Sequence, residues 1–142
     1  MKKILLFLSA FALLFFAACS PKTTGGGDTP DDNKVSEFEL NESFELALGQ
    51  TKKLKDGTFM LTFAEVTQDS RCPDGVNCVR AGEIIFNLSS DSNTLSVTKK
   101  AKQEGKALIG GYEVVIAEAM PYPQSGVPKD PNAYVLRLMV RK

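Results

Sequence analysis

From Glu37 onward apolar side chains recur at every second position, and a chain patterned this way lays them along one face of successive strands. Phe44, Leu46 and Leu48 alternate with Ser43, Glu45 and Ala47. Phe59, Leu61 and Phe63 alternate with Thr58, Met60 and Thr62, and Ile84, Phe86 and Leu88 with Glu83, Ile85 and Asn87. The alternation returns in Leu95 and Val97, in Tyr112, Val114 and Ile116, and in Tyr134, Leu136, Leu138 and Val140. A helix would need a stripe at spacings of three and four, and no segment carries one. Residues 97–107 are too rich in lysine and too interrupted by glycine. The pattern predicts at least six strands, with a seventh at Thr51–Leu54.

Turn formers separate these runs: Leu48-Gly49-Gln50, Lys55-Asp56-Gly57, Ser90-Asp91-Ser92-Asn93, Gly110-Gly111 and the Pro-rich stretch 121–131. The first and fourth suit tight hairpins, because glycine takes a positive φ at low cost. Many short strands with such punctuation predict an all-β fold, an antiparallel sandwich or barrel of about six to eight strands. Segments 60–66 and 114–117 carry apolar residues on both faces, as central strands would, or strands with one face covered by a loop or a partner. The single domain is expected over residues 37–142.

The start of the chain has a different character. Lys2 and Lys3 precede an apolar run over 4–16, followed by Ala17, Ala18 and Cys19. A charged start, a short apolar core and a small-residue exit compose a secretory signal peptide, expected over residues 1–18. The run is shorter than the roughly 20 residues a membrane-spanning helix needs. Phe16-Ala17-Ala18-Cys19 resembles the bacterial lipobox, in which an apolar residue and two small ones precede an obligatory cysteine; Phe16 stands where that pattern most often has Leu. The resemblance implies that Cys19 is the lipid-attachment site, carrying a diacylglycerol, with an acylated amine after cleavage. It also implies that the partner is a membrane of the bacterial envelope. Ser20, in place of an Asp that retains some lipoproteins at the inner membrane, favours the outer membrane, with the domain in the periplasm or at the cell surface.

Residues 19–36 read as a disordered tether. They are rich in Gly, Pro, Thr and Asp and nearly lack apolar side chains, so they cannot bury enough surface to offset the entropy of ordering. At roughly 5–6 Å × √n such a segment holds a domain about 20–25 Å from its anchor. The chain has 17 basic and 17 acidic side chains, and loss of residues 1–18 with Lys2 and Lys3 leaves a formal charge of −2. So even a balance implies no nucleic-acid partner.

An exported chain meets an oxidising compartment, and with Cys19 taken by lipid, Cys72 and Cys78 have only each other. Pro73-Asp74-Gly75 between them is a turn former, so a Cys72–Cys78 disulfide is expected. Asp69-Ser70-Arg71-Cys72-Pro73, then Val76-Asn77-Cys78 and Gly82, is similar to a motif of small exported bacterial proteins and lipoproteins. Leu46-Ala47-Leu48-Gly49-Gln50, Phe63 and Val66 upstream and Pro121-Tyr122-Pro123 downstream extend the resemblance over residues 44–140. Arg80 stands where that pattern carries an aromatic residue, usually Trp. The resemblance implies a β-rich domain and no particular activity.

Catalytic chemistry is poorly provided for. The chain has no histidine, which removes Ser-His-Asp and Cys-His systems and the commonest general base. A thiolate zinc site lacks ligands, and neither a phosphate-binding loop nor a dinucleotide fingerprint occurs. Glu65, Asp69, Glu83, Glu113 and Glu118 leave a carboxylate pair formally open. Asp69, Asp74 and Asn77 could offer oxygens to calcium, without the spacing of an EF-hand. Arg71 is expected to pair locally with Asp69, Asp74 or backbone carbonyls. Lys99, Lys100, Lys102 and Lys106 are expected to form a solvated basic face. No catalytic, cofactor-binding or metal residues are expected. The function expected is a tethered, non-enzymatic binding or scaffolding domain for an unknown envelope protein or ligand. A protease-inhibitor-like module presenting constrained loops is the alternative, and a small hydrolase the second.

Overall fold

The computed structural model describes residues 35–91 and 93–142. Nine strands run through them: β1 (Ser36–Phe38), β2 (Ser43–Ala47), β3 (Thr51–Leu54), β4 (Met60–Asp69), β5 (Glu83–Ser90), β6 (Asn93–Lys100), β7 (Gly105–Ile109), β8 (Tyr112–Met120) and β9 (Val135–Arg141). They form a five-stranded sheet, β1-β3-β4-β5-β6, and a four-stranded sheet, β2-β9-β8-β7. All pairings are antiparallel except the three-residue pairing of β1 with β3. The fold is the all-β sandwich the alternation predicts. Its count exceeds the expected six to eight because two short strands, β1 and β7, escape the pattern. Ser36, the last residue of the expected tether, opens β1.

The alternating residues form the core between the sheets. Leu61 and Phe63 of β4, Ile84, Phe86 and Leu88 of β5, and Leu136, Leu138 and Val140 of β9 are all fully buried. Each such side chain contributes about 1.5–3 kcal/mol relative to exposure. Phe63 and Phe86 meet edge to face with ring centroids 5.7 Å apart, the arrangement their quadrupoles favour. Segment 60–66 is not buried on both faces: Met60 and Ala64 are exposed. In β8 Val115 is buried on the outer face, in register with Lys106 and Met139.

Irregularities in two strands decide what faces inward at one end of the sandwich. Opposite the inward Leu88, Phe86 and Ile84 of β5 stand Phe63, Val66 and Asp69 of β4. The inward residues of β4 thus advance by three where β5 advances by two, because a bulge interrupts each interval. Two bulges therefore turn Asp69 towards the core. In β8 a shift between Ile116 and Glu118 does the same for Ala119, which pairs with inward Leu136.

The turns divide as their chemistry dictates. Gly110 and Gly111, at φ 60 and 80, link β7 to β8 in a tight hairpin, with Ile109 paired to Tyr112. The expected hairpin at Leu48-Gly49-Gln50 does not form. That turn carries the chain from one sheet to the other, and the Gly49 N–H donates to the Phe63 carbonyl at 2.7 Å.

Candidate functional site

Asp69 ends β4 pointing inward, and Arg71 follows two residues later in the loop that leaves the sheet. The guanidinium grips the carboxylate with two bonds, Nε to Oδ1 and Nη2 to Oδ2, each 2.8 Å. Both side chains are buried, at 3% and 4% exposure. Nη2 also donates to the Pro121 carbonyl at 2.9 Å and Nη1 to the Ala119 carbonyl. Tyr134 Oη donates to Asp69 Oδ2 at 3.0 Å, and Lys129 Nζ to the Asp69 carbonyl at 2.6 Å. The Tyr122 ring lies 5.1 Å from the Arg71 guanidinium carbon, a cation–π contact. One ion pair thus joins the end of β4, the end of β8, the loop over 121–131 and the residue before β9.

Burial alone would push the Asp69 carboxyl up, but the hydrogen bonds and charge of Arg71 outweigh it and hold it below the usual carboxylate range. Burial, reinforced by the Asp69 charge, pushes the Tyr134 hydroxyl up. The expected local pairing of Arg71 is what the structure contains, and it occupies the Asp69 oxygens that a calcium site would have needed. Among the described residues no cluster of three or more acidic, His or Cys side chains is placed to hold a metal.

Cys72 and Cys78 are joined, with an S–S distance of 2.07 Å and Cα atoms 6.0 Å apart. The Asp74 N–H donates to the Pro123 carbonyl at 2.9 Å, so the disulfide loop is braced against the proline-rich loop. Gly82 returns the chain beneath this loop at φ +72, and a β-carbon there would stand 2.0 Å from the Ser70 carbonyl oxygen. Arg80 is exposed. Cys19, the expected lipid site, lies outside the described residues.

Beside the ion pair lies a cavity of about 480 Å³, lined by Arg71, Tyr122, the end of β8 and the turn after β6. Lys99 also lines it, and here the expected solvated face is corrected. Lys100, Lys102 and Lys106 are exposed, but Lys99 is 6% exposed. Its parity is that of Leu95 and Val97, so β6 turns it inward with them. A β-carbon on Gly105 would stand 3.2 Å from Lys99 Cβ and 3.3 Å from Cγ, so β7 closes over the lysine stem where glycine leaves room. Burial first, and the Arg71 charge second, pull the Lys99 ammonium below its ordinary range, while Glu118 and Glu104 act the other way.

Two of the other carboxylates singled out in the sequence have cross-strand partners. Glu65 accepts from Asn87 at 2.6 Å, and Glu118 pairs with Arg137 at 3.1 Å. The sequence reading missed Lys99 and Tyr134 as site residues. The run Leu95, Val97, Lys99 carried the signal for the first; nothing local marked the second. Among known proteins, no family model, curated protein or solved structure matches the chain.

Proposed function

We propose that the chain is a lipid-anchored protein of the bacterial envelope whose sandwich domain binds or scaffolds a partner without catalysing a reaction. The observation that carries this reading is the opening of the chain: a charged start, the apolar run 4–16 and Phe16-Ala17-Ala18-Cys19, followed by a Gly/Pro/Asp-rich segment. Two acyl chains or more on one cysteine would hold a protein firmly, since each buried methylene contributes about 0.8 kcal/mol. The cavity beside Arg71 and Lys99 supports a binding role, because these two basic donors line it together with the apolar Ala117, Ala119 and Met120. Mass spectrometry of the membrane-extracted protein tests the anchor: a chain beginning at diacylated Cys19 is expected, and an unmodified Cys19 or a retained 1–18 would end the proposal. Crosslinking and pull-down from intact cells then tests the partner. Turnover of a substrate, abolished by one carboxylate or lysine substitution, would replace the binding role with an enzymatic one.

A protease-inhibitor module is the second reading, favoured by one feature. Val79 is fully exposed and Val76 is 45% exposed on the disulfide-closed loop. A loop held in place loses less entropy when it enters a cleft. Inhibition of an envelope or host protease that disappears with Val79→Asp would favour it over scaffolding.

A further inference from the structure

Lys99 is a largely buried lysine that Glu118 and Glu104 act on only from a distance, without an ion pair among the described residues. Among the described residues its ammonium has neither a hydrogen bond nor an ion pair, although the side chain is only 6% exposed. The other charges do not supply what it lacks. Asp69 is bound by Arg71, and Glu118 is paired with Arg137. Glu104 and Asp74 line the cavity without pairing to Lys99. Arg71 adds a further donor to the same space. A guanidinium has five N–H groups. Four of them reach Asp69 Oδ1, Asp69 Oδ2, Pro121 O and Ala119 O. The last, on Nη1, has no acceptor among the described residues.

The Lys99 stem is buried while its ammonium stays open to the cavity, and donors converging on a cavity call for an oxygen acceptor. We infer that the cavity binds a small organic carboxylate, its oxygens held by Lys99 and by the remaining Arg71 N–H, its apolar body against Ala117, Ala119 and Met120. Charge selects the class. Arg71 is already neutralised by Asp69; of the two lysines in the lining Lys102 is exposed and Lys99 alone is turned inward, while Asp74, Glu104 and Glu118 border the space. A monoanion meets that demand, whereas a dianionic phosphate brings a second charge that those carboxylates repel. The alanines and the methionine leave room for a short hydrocarbon body and offer it no hydrogen bonds.

This inference rests on the domain being a binding module, and its test reads a different part of the chain from the anchor. The full chain is titrated by calorimetry with hexanoate, hexanol, hexylamine and inorganic phosphate. Hexanoate should bind saturably and at least about tenfold more tightly than hexanol, as a charge-assisted hydrogen bond requires. Hexylamine and phosphate should give no saturable heat. Lys99→Met keeps the stem and removes the charge, so it should abolish hexanoate binding while raising the unfolding midpoint. Silence with hexanoate, equal binding of hexanol, tighter binding of phosphate, or unchanged hexanoate binding by Lys99→Met would each overturn the inference. Should Lys99→Met fail to fold, the four titrations of the unmutated chain decide alone. A silent titration leaves the lipid on Cys19 untouched, and an unmodified Cys19 leaves the titration untouched.

Discussion

Asp69→Asn would leave Arg71 buried beside a neutral amide. Removing one partner of a buried pair strands the other charge, so urea unfolding should register a loss of about 3–5 kcal/mol. Acid should reach the same interaction. Unfolded, Asp69 titrates near 3.8; folded, it titrates lower. Between those two values the unfolded chain binds more protons, so stability falls as pH falls. The contribution is complete above 3.8 and is lost as pH drops through the folded value, and Asp69→Asn should lack this slope. For Lys99, whose folded value lies below 10.5, the folded chain releases its proton first, and stability should rise with pH across that interval. That Arg71 pairs locally was legible in sequence, because Asp69 lies two residues before it, although Asp74 and backbone carbonyls stood equally open as partners. The burial of Lys99 was not, because residue type outweighed position: a lysine in a cluster of lysines reads as solvated, although alternation placed it inward.

Among the elements, strands announced by large apolar residues were legible, and those built from small ones were not. In β7 the inward positions are Gly105, Ala107 and Ile109, while Leu108 points outward at 73% exposure, which inverts the usual pattern. β1 has only three residues, too few to establish a period. The bulges were hidden for another reason: they are visible only against a partner strand. The loop after β4 makes two separable predictions. Replacing both Cys72 and Cys78 with Ser should lower stability by about 2.4 kcal/mol, the chain-entropy value for so short a loop, as read by urea titration. Gly82→Ala should cost more, above roughly 3 kcal/mol, because a left-handed φ is compounded by a collision with the Ser70 carbonyl. Gly111→Ala, at φ +80 with nothing within 4 Å, is the control and should cost only about 1–2 kcal/mol.

At the scale of the whole molecule, the sandwich was legible but the partnership of its strands was not. Alternation says that a strand has an inner face, not which strand lies beside it; β2 pairs with β9 across most of the domain's length. The proposed anchor makes its own prediction. Cys19→Ser should move the protein from the membrane fraction to the soluble fraction in a fractionation blot, with the melting of the domain unchanged. The strand order carries a further consequence. β1, where the described chain enters, and β6, which carries Lys99, are opposite margins of the same sheet. Four strand-to-strand steps of about 4.8 Å separate them by roughly 19 Å. A guest at Lys99 and a restraint on the leading end of the chain therefore do not compete for surface. On the proposed reading the domain would be moored at one flank and loaded at the other.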